Sequence, residues 1–179
     1  MCGMTGWLSF NRDLENQDAI IENMTNSLTS RGPDAGGVWL SSNVALGHRR
    51  LSVIDLEGGV QPMKASDVNG LRAVMSYNGE VYNYRELRSE LIAKGHEFET
   101  ESDTEVILTA YLEWGEDFAS RLNGIFALAI WDLRKQELLL VRDHMGVKPL
   151  YYYPLGEDLL FGSEPKSILA HPEVDAVIN

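Results

Sequence analysis

The chain has 179 residues, 44% of them hydrophobic, and a formal net charge of −12. That length suits one domain with a sizeable core, and the acidic balance excludes nucleic-acid and anionic-membrane binding, both of which need a basic face. The single cysteine, Cys2, excludes an internal disulfide or a Cys-rich metal site and fits a reducing, cytoplasmic setting, while the sequence shows neither a signal-peptide pattern nor an apolar run of roughly 18 residues.

The opening stretch MCGMTGWLSF predicts a strand over 3–10. Cys2 stands directly behind the initiator methionine, which is commonly clipped when the next residue is small. Clipping leaves a thiol of ordinary pKa about 8.5 and an α-amine of ordinary pKa about 7.7–8.0 on one residue. Those groups are a nucleophile and a base substantially neutral at physiological pH. A helix follows at about 16–29, where Ile20, Met24 and Leu28 share a face. SRGPDAGGV breaks it with Gly and Pro.

Strand-like segments come next: GGVWL, VALGHRRLSVID and LRAVMSYNGE. The second sets Arg49 and Arg50 in an apolar run. They read either as a surface ion pair in an acidic chain or as a clamp for a carboxylate, which Arg holds through paired hydrogen bonds. The third ends on Asn78–Gly79, which reads as a tight turn or as an oxyanion hole. In the second reading the Asn78 amide and the Gly79 N–H point together, each donor contributing roughly 3 kcal/mol.

Asn83 followed by Glu86 predicts a capping box and a helix burying Leu87 and Leu91. Ser102 followed by Glu105 predicts another, with Val106, Ile107, Ala110, Tyr111 and Trp114 as its inner stripe. Asp103 falls in that helix's first turn, where the dipole favours an acid. The alternative is a counter-charge for an ammonium ligand. The last third reads as sheet: IFALAIWD, ELLLVRD, PLYYYPLG and DLLFGSE. The first two flank a short turn at Arg134–Gln136 and pair antiparallel, yet they are continuously apolar, so both faces are covered. The fold class predicted is a layered α+β sandwich with helices outside. His48, His96, His144 and His171 lack ligand spacing, and no metal is assigned.

A group for a carboxylate, a group for an ammonium and an oxyanion hole beside a thiol suit one ligand class, an amino acid with a side-chain carbonyl. That ligand is glutamine. The ordered set MCG, RGPD, RRLSVID, NGEVYNY, SDTEV, LNGIFALAIWD, RDHMGVKPLYYY and FGSEPKSI spans nearly the whole chain. In it the sequence resembles the class II glutamine amidotransferase domain, the N-terminal-nucleophile type, and most closely the glutaminase domain of glutamine-hydrolysing asparagine synthetases.

The resemblance implies a four-layer αββα sandwich of two mainly antiparallel sheets. It implies Cys2 as nucleophile after loss of Met1, with Asn78 and Gly79 as oxyanion donors. Arg50 corresponds to the holder of the substrate carboxylate, Leu51, Ser52, Val53 and Ile54 to the pocket lining, and Asp103 with Glu80 to the acids facing the ammonium. RGPD and RDHMGVKPLYYY are assigned to scaffold or interface. Ser30 stands where many relatives have His, and Pro165 interrupts the usual SE-x-K.

The expected partners are L-glutamine and, through an ammonia channel, a C-terminal synthetase domain outside residues 1–179; homodimerisation is left open. This domain is expected to need no cofactor, ATP and Mg²⁺ belonging to the synthetase domain. Alternatives are another class II amidotransferase, making amino sugars, a dipeptide-type solute or phosphoribosylamine, a non-catalytic glutamine-binding module, and a structural subunit that docks a synthetase.

Overall fold

The computed structural model describes residues 1–51 and 59–175. Its elements, in chain order, are β1 (Gly3–Leu8), α1 (Asp18–Asn26), β2 (Ala35–Leu40), β3 (Val44–Arg50), β4 (Met63–Asp67), β5 (Gly70–Val81), α2 (Tyr84–Ala93), α3 (Asp103–Trp114), α4 (Phe118–Arg121), β6 (Gly124–Asp132), β7 (Glu137–Arg142), β8 (Tyr151–Leu155), β9 (Asp158–Gly162) and α5 (Pro165–Leu169). Among the described residues they form two antiparallel sheets, one ordered β2-β3-β1-β9-β8 and the other β4-β5-β6-β7.

β6 explains why its sequence does not alternate. Phe126, Leu128 and Ile130 face Leu87, Leu91, Val106, Ile107 and Tyr111 of α2 and α3. Ala127, Ala129 and Trp131 face Met4, Val44, Leu46 and Phe161 of the other sheet. Successive side chains point to opposite sides of a strand, so a strand covered on both sides must be apolar at every position. On the far side of the first sheet, Ile21 and Met24 of α1 and Ile168 of α5 pack on Trp7, Ala45 and Leu160. The layers are therefore helix, sheet, sheet, helix, as expected. Each fully buried large apolar side chain contributes about 1.5–3 kcal/mol.

Local details depart from the sequence reading. α1 turns Ile21 rather than Ile20 fully inward, and Leu28 is buried in the turn that follows the helix. The capping box at Asn83 does not form. The Asn83 side chain instead donates to the Arg121 carbonyl and accepts from the Asn123 N–H, tying α2 to the start of β6. Ser102 does cap α3, accepting from the Thr104 N–H. Glu105 reaches back past it to the Glu99 and Thr100 N–H groups. Pro165 occupies the first turn of α5, where a missing N–H costs nothing, so this departure from SE-x-K fits the local structure. β8 forms an edge of the first sheet and leaves Tyr151, Tyr152 and Tyr153 exposed.

Candidate active site

The site gathers at one end of both sheets. β1 pairs with β3 in the register Gly3↔Arg49, which sets Cys2 beside the end of β3. The Cys2 Sγ accepts from the Leu51 N–H at 3.4 Å and lies 3.6 Å from the Leu51 carbonyl. Its own carbonyl accepts from Arg31 Nε at 2.9 Å, and the same guanidinium bonds Glu164 at 2.8 Å. That pairing, with a further bond from Lys166, holds the Glu164 carboxyl below the usual range. Ser163 completes the anchor, exchanging hydrogen bonds with the Met4 N–H and carbonyl.

β5 supplies the opposite wall. On this strand Tyr77 packs with the α2–α3 side, so by the two-residue period Ser76 and Asn78 face the first sheet. Ser76 Oγ donates across to the Gly47 carbonyl at 3.1 Å. Asn78 is 1% exposed, and its Nδ2 has no hydrogen-bond partner among the described residues. An unpaired buried amide costs about 1–3 kcal/mol, so its persistence points to a ligand group. Gly79 is pressed on β6; a Cβ there would lie 2.4 Å from the Ile125 carbonyl oxygen. No larger residue fits without moving the backbone.

Asp103 begins α3, and its side chain reaches across to β5. Its Oδ2 accepts from Tyr77 Oη at 2.7 Å and from the Val81 N–H at 3.2 Å. The residue is 5% exposed. Burial raises its pKa above the ordinary value, against the pull of those hydrogen bonds, and neighbouring Glu80 adds to the rise. Burial likewise holds the Tyr77 phenol well above its ordinary value.

Cys2, Arg50, Leu51, Asn78, Gly79, Glu80 and Asp103 all line one pocket of about 210 Å³. Ser52, Val53 and Ile54 lie outside the described residues. Arg50 follows His48 on the face of β3 that looks toward the second sheet, and Gly59 packs on it so closely that a Cβ would sit 2.5 Å from Nη2. Arg49 points the other way and bonds the Gly32 carbonyl. The pair therefore splits into one structural and one pocket residue.

Sequence reasoning missed Gln61, Tyr77 and Lys148 as pocket residues. Two segments assigned to scaffold or interface touch the site's surroundings, one as a brace and one in the pocket. RGPD contributes Arg31, and RDHMGVKPLYYY contributes Lys148, whose Nζ lies 3.3 Å from Met1 Sδ. Asp143 shapes that loop. Burial pushes its carboxyl up, but N–H groups of Phe126, Met145, Val147 and Lys148 outweigh this and hold it below its ordinary value. The contacts of Arg31 with Cys2 and of Lys148 with Met1 join residues distant in sequence, which no local pattern announces.

The sequence profile of a glutamine amidotransferase domain family matches residues 1–179. Asparagine synthetase (glutamine-hydrolyzing) 3 of Bacillus subtilis strain 168 is 49% identical over 179 residues, which are 100% of this chain and 29% of that protein. Asparagine synthetase B (glutamine-hydrolyzing) of Escherichia coli K12 is 37% identical over 171 residues, 94% of this chain and 30% of that protein. The chain thus spans about three-tenths of the length of these relatives. Among solved structures, glutamine phosphoribosylpyrophosphate amidotransferase from B. subtilis superposes with a TM-score of 0.80 at 22% identity, over 94% of this chain and 43% of that one. That likeness bears on the fold alone.

Proposed function

The chain belongs to the glutamine amidotransferase domain family, and from that premise we propose that it hydrolyses L-glutamine through a Cys2 thioester, yielding glutamate and ammonia. Loss of Met1 frees the Cys2 α-amine, whose ordinary pKa is about 7.7–8.0. The amine takes the thiol proton, and the thiolate attacks the side-chain carbonyl carbon. The Asn78 amide and the Gly79 N–H receive the developing oxyanion. Collapse breaks the carbon–nitrogen bond, and the proton held by the amine passes to the departing nitrogen as ammonia leaves. Water then cleaves the γ-glutamyl thioester and restores the thiol.

Arg50 holds the substrate α-carboxylate, and Asp103 with Glu80 faces the α-ammonium. These charges bind ground and transition states alike, so they set affinity more than turnover. Leu51 places the thiol through its main chain. The observation that carries the reading is the Asn78 amide: buried, unpartnered among the described residues, and in the pocket that holds the only cysteine.

The relatives' names, and the share of each that this chain covers, support a further step. The ammonia passes through a channel to a synthetase domain that makes asparagine from aspartate, in the cytoplasm. ATP and Mg²⁺ act there, and the glutaminase step uses neither. Among the described residues no helix is long and apolar enough to cross a membrane.

Intact-mass analysis paired with ammonia release from glutamine tests the reaction. Protein lacking Met1 is expected to release ammonia and to gain a γ-glutamyl adduct on Cys2 when quenched in turnover. Met1-free, folded protein that released none would overturn the reading.

A further inference from the structure

β4 pairs with β5 only as far as Met63↔Met75. β5 runs on through Tyr77, Gly79 and Val81 with no strand on that side among the described residues. The ladder shows where the main-chain groups of these three residues point. Phe126, opposite Gly79, turns both its N–H and its carbonyl away from β5, to Asp143 beyond β6. In an antiparallel ladder, partners either exchange both hydrogen bonds or neither. Gly79, and with it Tyr77 and Val81, therefore directs its main-chain groups to the side that β4 has left.

Buried main-chain groups need partners, and here side chains provide them. The Tyr77 N–H donates to Gln61 Oε1 at 2.6 Å. The Tyr77 carbonyl accepts from His48 Nε2 at 2.9 Å. The Val81 N–H donates to Asp103 Oδ2. Between these two capped positions stands Gly79, which lines the pocket.

We propose that Gln61 and His48 are positioning residues for the oxyanion hole: they replace the missing strand on either side of Tyr77 and so fix the peptide units that aim the Asn78 amide and the Gly79 N–H. The proposal rests on the glutaminase reading and adds to it the parts that hold the hole still. Hydrogen bonds weaken steeply as their angle closes, and a preorganised donor acts only if it need not move during reaction. Asn78 is held on its other side by β6, opposite Ala127. Without the clamp, β5 has support on one edge only at the point where alignment matters.

His48 suits the task chemically. A carbonyl only accepts, so Nε2 carries the proton and Nδ1 does not; Nδ1 has no partner among the described residues. The ring is fully buried. Burial, with Arg50 and Arg49 nearby and against the pull of the Tyr77 carbonyl, lowers its pKa to about 4. Near neutral pH it is therefore an uncharged donor.

The test is steady-state ammonia release by Met1-free Gln61→Met and His48→Leu proteins, with thermal unfolding followed in parallel. Each is expected to lose about tenfold in kcat with KM for glutamine within about twofold, because a misaimed donor acts on the transition state. Gln61→Glu and His48→Gln, which keep an acceptor and a donor respectively, should recover most of that loss. In an Asn78→Ala background, Gln61→Met should cost less than about twofold, since the hole is already broken. Gln61→Asn, too short to reach Tyr77, carries the same expectation should Gln61→Met fold poorly. Folded variants with wild-type kcat, a loss confined to KM, or full additivity with Asn78→Ala would overturn the proposal. An inactive Met1-free wild type would overturn it together with the glutaminase reading, whereas an active wild type with unaffected variants overturns it alone.

Discussion

At one end of β1 lies Cys2; at the other, about 16 Å away by strand rise, lies Trp7. Both ends bury polar atoms, but to opposite purpose. Trp7 Nε1 donates to Asp158 Oδ2 at 3.0 Å. Asp158 also meets Arg12, which reaches on to Glu173, and His171 packs edge-on against the Trp7 ring at 4.6 Å. This cluster binds the N-terminal strand to the C-terminal segment through the paired Trp7, Asp158, Arg12 and Glu173, with His171 Nε2 alone in it unpartnered among the described residues. At the Cys2 end the Asn78 Nδ2 has no partner among the described residues, the Gly79 main chain is directed to the side that β4 has left, and Asp103 keeps a buried carboxyl facing a cavity. The first arrangement holds the fold together. On the proposed function, the second is complete only with substrate in it.

The largest expected break in this comparison comes from Cys2→Ala, which should lower ammonia release by roughly 10⁴-fold or more while leaving Tm nearly unchanged. Asn78→Ala should cost about 10²–10³ in kcat, again with little change in Tm, because Nδ2 has no partner among the described residues. Asp103→Asn should raise KM for glutamine about tenfold, near 1.4 kcal/mol, with kcat largely kept.

The last variant also has a pH signature. Burial raises the Asp103 pKa, so in the wild type glutamine affinity should begin to fall, on acidification, above the usual carboxylate range. Asp103→Asn should lack that limb. A raised folded-state pKa makes the group's contribution to stability most favourable at low pH and progressively lost as pH rises through the folded value. Near neutrality Asp103→Asn should therefore equal or exceed the wild type in Tm. The smallest effect on activity belongs to Asp158→Ala, which leaves the buried Trp7 N–H unpaired. It should cost about 1–3 kcal/mol of stability, read by chemical denaturation, with kcat and KM unchanged.

Much of this was legible in the sequence because it rests on periodicity. The apolar run of β6 required two covered faces, and Leu87, Leu91 and the α3 stripe followed from helical spacing. The candidate nucleophile stood out for a different reason: Cys2 follows the initiator methionine, and the family resemblance gave that position its role. What escaped was contact between distant segments. Asn83 and Glu86 have capping-box spacing, yet Asn83 found better partners at Arg121 and Asn123. Nothing local in GGVQPM marks Gln61 as a main-chain partner for Tyr77, and nothing in RGPD marks Arg31 as the holder of the Cys2 carbonyl.

The central place of β1 bears on biosynthesis. Thr5 pairs with Gly162 as well as with Gly47, and the residue that carries the thiol is anchored through Glu164. A polypeptide emerging from the ribosome exposes β1 well before its second neighbouring strand, β9, has been translated. On the proposed function, an enzyme that trims Met1 thus meets an unassembled terminus, and the candidate centre around Cys2 is assembled only after β9 has been made.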